Sequence, residues 1–307
     1  MSKTKPIITI GICVRNCENF LSDTINSLIE QDFPHELMEI VFVDDGSEDR
    51  TLQIIKEHVS RINIRAKVFH TKWMGLGPAR QLALNNAEGK YILWVDGDET
   101  LSKSYVRQQV DFMEKHPEVG ITSGVIEAFG KSFILNLELV PFKLNHMLFE
   151  EPKSFFWKTK KFPGTGGTTF RVEALQQING FDKSFTGAGE DMDVAKRIEK
   201  TNWAIKLNNA VFYEKKMNMS SIVDLWKKYF WYGYGSQTFY RKDRTIVILS
   251  RMTPPAGFFA GFFYSILAYK LMRNKRLFLL PFFFSFKMTA WCLGFMKSQI
   301  VNVYSRN

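Results

Sequence analysis

Tyr91-Ile92-Leu93-Trp94-Val95-Asp96-Gly97-Asp98 sets five consecutive apolar residues directly against two acids one residue apart. An unbroken apolar run of that length, closed by a turn residue, reads as a strand covered on both faces, the pattern of a parallel sheet inside an α/β domain. Carboxylates at the carboxyl end of such a strand lie where open α/β sheets bind their ligands. Where the chain stays extended through Gly97, positions i and i+2 point the same way, so Asp96 and Asp98 are expected to converge on one point. Two hard oxygen donors suit Mg2+ or Mn2+, which takes one or two carboxylates and fills its remaining positions from substrate phosphates. Taken alone, Asp-Gly-Asp is equally the sequence of a plain turn. The surrounding chain decides between the two.

Toward the N-terminus the same unit recurs. Residues 7–14 (IITIGICV) read as a buried strand, and Phe20, Leu21, Ile25, Leu28 and Ile29 follow at helical spacing. Ile40 to Val43 form another apolar run that ends in Asp44-Asp45-Gly46-Ser47, and Leu52, Ile54, Ile55 and Val59 mark the next helix. Arg65 to His70 reads as a third strand and Pro78 to Ala87 as a third helix. This alternation predicts a largely parallel sheet. Asp44 and Asp45 should then meet the same edge as Asp96, where a carboxylate can accept hydrogen bonds from a base N–H or a ribose hydroxyl. Ser47 and Asp49 read as an N-cap and a first-turn acid. Arg80 follows Gly75-Leu76-Gly77-Pro78 at a helix start; it is either a surface arginine or a phosphate ligand beside free backbone amides.

Toward the C-terminus, residues 119–213 hold irregular strands and a glycine-rich stretch, Gly164-Thr165-Gly166-Gly167-Thr168-Thr169-Phe170. Gly166 and Gly167 mark a turn or a close approach of backbone to ligand. A short helix is expected over Val172 to Ile178. Another should start near Glu190, because Val194 and Ile198 share a face and Asp193 can pair with Arg197 four residues on. Glu190-Asp191 is either ordinary first-turn acid enrichment or a general base on a rigid element.

Together these segments resemble the family 2 glycosyltransferases of GT-A fold. The resemblance rests on the first strand with Asn16, VDDGSEDRT at 43–51, GLGPARQLAL at 75–84, YILWVDGDETL at 91–101, GTGGTTFRVEALQQINGFD at 164–182 and GAGEDMDVAKRI at 187–198. It implies a GT-A-type nucleotide-sugar-binding domain with a mainly parallel central sheet over residues 1–215, which inverts configuration in transferring a sugar from a nucleotide-diphosphate sugar to a hydroxyl acceptor. By resemblance, Val14, Asn16, Asp44, Asp45, Arg80 and Asp96 hold the donor nucleotide, and Asp96 with Asp98 holds Mg2+ or Mn2+ at the diphosphate. It further implies that Gly166, Gly167 and Thr168 form a donor or acceptor loop, with Asp191, beside Glu190, as the base. The chain departs from the family pattern at Cys13, Arg15 and Gln81. Tyr213-Glu214-Lys215 stands where many relatives carry a histidine, which leaves Glu99 or Glu214 as candidates for a third metal ligand.

Charge and hydropathy separate the tail from this domain. The 307 residues carry a net charge of +10, yet residues 214–307 alone hold 15 basic and 3 acidic residues, leaving −2 for the rest. Nothing acidic follows Asp243, and Phe, Leu and Met crowd the same stretch, a combination that fits an anionic membrane surface and not a nucleic-acid groove. Residues 216–307 are therefore expected to form a helical, membrane-associating region with apolar segments at 252–269 and 277–296. If both segments crossed a bilayer, the basic turn Arg273 to Arg276 would fall on the far side, against the positive-inside tendency; interfacial helices with Lys287 snorkelling would avoid that. Trp226, Tyr229, Phe230 and Trp231 read either as sugar-stacking or as interfacial aromatics. The apolar stretch 7–14 is too short for a secretory signal, which predicts a cytoplasmic catalytic domain. Three scattered cysteines exclude a disulfide framework.

A lipid-linked glycan or cell-surface polysaccharide precursor is the expected acceptor. Polyprenyl phosphate is the main alternative, as in dolichol-phosphate mannose synthases. That acceptor is already an anion and needs no base, so Glu190-Asp191 argues against it. A membrane-tethered nucleotide-sugar-binding protein without catalysis is the rival from another class.

Overall fold

The computed structural model describes residues 4–129, 132–141, 144, 164–215, 221–244 and 247–304. They fall into two compact units: Met1–Phe129 with Phe162–Thr186 and Glu190–Lys215, and Gly130–Lys161 with Gly187–Gly189 and Lys216–Asn307.

The first unit is the α/β domain. Its elements are β1 (Ile8–Val14), α1 (Leu21–Ile29), β2 (Met38–Asp45), α2 (Thr51–Val59), β3 (Arg65–Thr71), α3 (Leu76–Asn85), β4 (Tyr91–Trp94), β5 (Glu99–Leu101), α4 (Tyr105–Lys115) and β6 (Val119–Phe129). In the second unit, α5 (Phe133–Glu138) follows; the first unit then resumes with β7 (Thr168–Arg171), α6 (Val172–Gln177), α7 (Glu190–Ile198) and β8 (Ala204–Lys215). The sheet order is β3-β2-β1-β4-β7-β6-β8-β5. The β3-β2-β1-β4 block is parallel throughout, β6 runs parallel to β8, and β7 and β5 run against their neighbours. This is the mainly parallel sheet that the alternating units predicted.

Both faces of the sheet are covered, as the unbroken apolar runs require. Ile8, Ile10 and Ile12 of β1 with Met38, Ile40 and Phe42 of β2 enter one core, together with Leu21, Ile25 and Leu28 of α1. The alternate β2 residues Val41 and Val43 enter the other, beside Ala79 and Ala83 of α3, Trp94 and Val194. Period-2 alternation thus feeds two cores from one strand.

The register fixes where the loops meet. Val14 pairs with Asp44 and Gly11 with Trp94, so β1, β2 and β4 end at one edge. Antiparallel pairing of Thr168 with Trp94 starts β7 at that same edge and carries the 164–167 loop there.

The second unit is helical: α5, α8 (Ile222–Lys242), α9 (Pro254–Met272) and α10 (Leu280–Tyr304). Leu135, Leu137, Leu225, Ala260, Ala268, Leu280, Phe283 and Phe284 form its core. Two of the aromatics read as sugar-stacking or interfacial instead make contacts within this unit. Trp226 packs on Phe286 at 5.2 Å between ring centroids, and the Tyr229 hydroxyl donates to Glu138 Oε1 at 2.7 Å. Lys287 does not snorkel. It is 3% exposed, with Nζ 2.6 Å from Glu138 Oε2 and 4.5 Å from the Tyr229 ring centre. A carboxylate far away in sequence, invisible to any reading of the 277–296 segment alone, neutralises it inside the fold.

Candidate active site

The floor of the candidate site is the end of β4. The strand stops at Trp94, and Asp96-Gly97-Asp98-Glu99 closes a turn in which the Glu99 N–H donates to the Asp96 carbonyl at 3.0 Å. This corrects the extended geometry expected for Asp96 and Asp98: the two carboxylates are presented by a turn and not by strand alternation. Glu99 itself is 3% exposed, and its Oε2 accepts the Asp96 N–H at 2.9 Å. It braces the turn from within. The side chain of Glu214, the other candidate third ligand, lies outside the described residues.

The end of β2 supplies the second wall. Asp45 accepts the backbone N–H groups of Met74 and Gly75 at 2.7 and 2.8 Å, which fastens the 73–75 loop to the sheet edge. Gly75 sits at φ +92, and a Cβ there would strike the backbone of Thr186, so only glycine fits. Asp44 is fully buried; its Oδ2 lies 2.7 Å from His70 Nδ1 and its Oδ1 accepts the Ser47 N–H at 3.2 Å. Asn16, at φ +53, clasps the 14–17 loop to this turn: its N–H donates to Ser47 Oγ at 3.0 Å and its Oδ1 accepts from Glu48 N at 2.9 Å. Ser47 thus serves Asn16 and does not cap α2, while Asp49 accepts the Thr51 N–H at 2.9 Å. Val14 is buried beneath, against the position a side chain on Gly97 would need.

Arg80 is no surface arginine. Its side chain is 5% exposed, pairs with Glu190 through one guanidinium nitrogen and reaches Asp96 Oδ1 at 3.3 Å through the other. The guanidinium stands 5.8 Å from the Trp94 ring centre. One cation therefore ties α3, α7 and the end of β4 together. The opening of α7 follows the sequence expectation, with Arg197 Nη2 2.7 Å from Asp193 Oδ2.

Electrostatic influences link the acids of this edge in a chain. Burial pushes the Cys13 thiol up to about 12; Arg80 opposes this, while Asp96 and Asp45 add to it. Burial likewise pushes Cys17 up to about 12, and Asp98, Asp96 and Asp49 contribute. Asp96 keeps 47% side-chain exposure toward solvent yet lies deep among protein atoms. That desolvation raises its carboxyl above the ordinary value, Arg80 pulls it down, and the charge of Asp191 pushes it up again. Asp45 and Asp96 thus act on Cys13, Asp98 and Asp96 on Cys17, and Asp191 on Asp96.

The glycine-rich loop completes the edge. Thr168 is fully buried and turned inward, its hydroxyl donating to the Gly164 carbonyl at 2.6 Å and lying 3.0 Å from Ser123 Oγ. It shapes the loop from inside. The Tyr105 hydroxyl donates to the Gly167 carbonyl. A Cβ on Gly164 would stand 3.7 Å from Asp191 Oδ2, and one on Gly166 would collide with the Glu99 carboxylate. Gly166→Ala is accordingly expected to displace Glu99 and free the Asp96 N–H. The overpacking should lower stability by about 1–3 kcal/mol, read as a lower urea midpoint; an unchanged midpoint would show that the two loops do not interlock.

Asp96 and Asp98 offer two oxygen donors at an acid-rich edge, which fits Mg2+ or Mn2+ when a substrate diphosphate supplies the rest. Among the described residues, no group of three or more His, Cys, Asp or Glu side chains could hold a metal on its own.

The family described as glycosyl transferase family 2 matches residues 9–178, more than half of the chain. The chain belongs to that family. Among its relatives is the poly(ribitol-phosphate) beta-N-acetylglucosaminyltransferase TarS of Staphylococcus aureus, 37% identical over 101 residues, or 33% of this chain and 18% of TarS. TuaG of Bacillus subtilis, named for teichuronic acid biosynthesis, is 31% identical over 114 residues, 37% of this chain and 44% of TuaG. The chain thus spans less than half the length of these curated relatives. In solved structures, the S. aureus TarS 1–349 complex with UDP-GlcNAc aligns at a TM-score of 0.54 and 19% identity, over 95% of this chain and 91% of that one. The mannosyltransferase PcManGT of Pyrobaculum calidifontis, in complex with GDP-Man and Mn2+, aligns at 0.65 and 17% identity, over 96% and 88%. These likenesses give the GT-A fold, and the family gives a glycosyltransferase.

Proposed function

We propose that this glycosyltransferase inverts configuration while moving a sugar from a nucleotide-diphosphate sugar to a hydroxyl acceptor, a lipid-linked glycan or a cell-surface polysaccharide precursor, at the cytoplasmic face of an anionic membrane. The observation that carries this reading is the Arg80 guanidinium, which pairs with Glu190 and lies 3.3 Å from Asp96 Oδ1, and so sets the Glu190-Asp191 opening of α7 beside the candidate donor site. TarS with UDP-GlcNAc and PcManGT with GDP-Man and Mn2+ support a nucleotide-diphosphate sugar as donor.

In this scheme the edge at Asn16 and Asp45 receives the nucleoside, with Asp44 buried behind it holding His70 and the Ser47 N–H, and Asp96 and Asp98 would hold Mg2+ or Mn2+. When bound, the divalent ion offsets negative charge on the departing diphosphate. Asp191 accepts the proton of the acceptor hydroxyl as its oxygen bonds to the anomeric carbon. The bond from that carbon to the phosphate oxygen breaks on the opposite face, and the nucleoside diphosphate leaves. Arg80 holds Glu190 and Asp96 in register, so the base and the donor site keep a fixed separation.

Thermal shift in detergent with UDP-GlcNAc and with GDP-Man, each with and without Mn2+, tests the donor assignment. A metal-dependent rise in melting temperature with one donor, lost in Asp98→Asn, is the expected result. Stabilisation without release of nucleoside diphosphate, whatever acceptor lipid is added, would instead identify a binding protein.

A further inference from the structure

Helix α9 is built inside out for a protein in water. Its buried positions are Gly257, Ala260, Gly261, Ser265 and Ala268, whereas Phe259 and Phe263 are 63% and 71% exposed and Phe262 is 48% exposed. In water, large apolar side chains are turned inward; small residues at the helix contact and large ones outside is the arrangement of helices packed within lipid. The small residues allow close approach to α10: a Cβ on Gly257 would meet the Phe284 carbonyl at 2.8 Å, and one on Gly261 would strike the backbone at Leu280 and Pro281. The α10 end of the hairpin continues the outer surface with Phe278, Leu279 and Phe282 exposed. Large apolar side chains exposed together in this way mark a membrane or protein contact.

Cations mark one end of that patch. Lys270, Arg273, Lys275 and Arg276 are all exposed at the turn between α9 and α10, and no acidic residue follows Asp243. Among the described residues the stretch Lys275–Val301 is long and apolar enough to cross a bilayer, yet 56% of its most apolar window is buried within the protein. Its middle is tied to α5 by the Lys287–Glu138 ion pair and to α8 by Tyr229, which packs against both partners. A hairpin that spanned a bilayer by itself would meet lipid on every side. This one has a covered face and a naked face.

We infer that α9 and α10 lie in the plane of an anionic bilayer, with the Phe259, Phe263 and Phe282 face sunk among the acyl chains and the Lys270–Arg276 turn at the phosphate headgroups. This deepens the membrane-surface part of the proposed function by assigning the lipid-facing residues and a monotopic mode. The α5 and α8 side stays within the protein. Lipid phosphates complement the turn's charge, and the apolar face supplies the larger share of binding.

The test is flotation of the full-length chain with vesicles of phosphatidylcholine alone or mixed with phosphatidylglycerol, read together with donor-dependent thermal shift in detergent. Flotation should be stronger with phosphatidylglycerol than with phosphatidylcholine alone and should weaken in high salt. The triple variant Phe259→Ser, Phe263→Ser, Phe282→Ser should partition about 100-fold more weakly at an unchanged melting temperature in detergent, because none of the three belongs to the core. Lys270→Glu with Lys275→Glu should cost about fivefold per charge. A protease site inserted in the Arg273–Arg276 turn should be cleaved by protease added outside the vesicles in every molecule whose catalytic domain is also outside. Protection of that site would overturn the in-plane mode while leaving membrane association intact. Failure to float with either vesicle would overturn the lipid assignment itself, and a stable dimer that buries the phenylalanines without lipid would do the same. Neither result touches the donor assignment, which the detergent measurement reads separately.

Discussion

Asp191→Asn is expected to lower product formation by about 10²- to 10⁴-fold while leaving the fold and donor binding in place. The separation of the two effects follows from local geometry. Asp191 Oδ1 accepts the N–H of Met192 at 2.7 Å, and an asparagine carbonyl oxygen can accept the same bond, so the first turn of α7 keeps its geometry. What the substitution removes is the negative charge and the basic oxygen. Because that charge pushes the Asp96 carboxyl up, its loss lets Asp96 ionise more readily, so a divalent ion and donor diphosphate should be held at least as well as before. Thermal shift with UDP-GlcNAc or GDP-Man and Mn2+ should thus match that of the unsubstituted chain, with turnover nearly abolished. Unchanged turnover would refute the base assignment. Equal loss of donor binding and turnover would place Asp191 in the donor site instead.

The parts of this site that were legible in the sequence are those set by local pattern. The apolar runs at residues 7–14, Ile40 to Val43 and Tyr91 to Val95 announced buried strands, and the parallel order then placed Asp45 and Asp96 at one edge. The Asp193–Arg197 pair was legible because helical spacing alone brings the two together. What was not legible depends on partners distant in sequence. Alternation could not foresee that Glu99 draws the chain after Asp96 into a turn, although Gly166, whose missing side chain leaves room for that carboxylate, was the one trace of it. Lys287 read as a snorkelling cation because Glu138 lies 149 residues away. Arg80 read as a surface or phosphate-facing residue because its partners, Asp96 and Glu190, come from two other segments.

Arg80→Met should destabilise the α/β unit by about 3–5 kcal/mol, because it leaves Glu190 charged, 2% exposed and without its counter-ion. Among the described residues the Oε2 of Glu190 has no hydrogen-bond partner, so Arg80 is the cation that offsets its charge. Introducing Glu190→Gln in the same chain removes that buried charge and should return most of the loss, so the double variant will lie well above the sum of the single effects in urea denaturation. Additive losses would mean that Arg80 and Glu190 act independently. The same substitution carries a pH signature. Arg80 is the group that holds the Asp96 carboxyl down against desolvation and against Asp191, so without it the carboxyl titrates at higher pH. Transfer that needs ionised Asp96 is present above that titration and lost as pH falls through it, so the acid limb of kcat/KM should move upward in Arg80→Met. Stability reads the contact with Glu190 and the acid limb reads the contact with Asp96, which lets one residue's two partners be separated by experiment. An acid limb that stays in place while stability falls would confine Arg80 to holding α7 against α3.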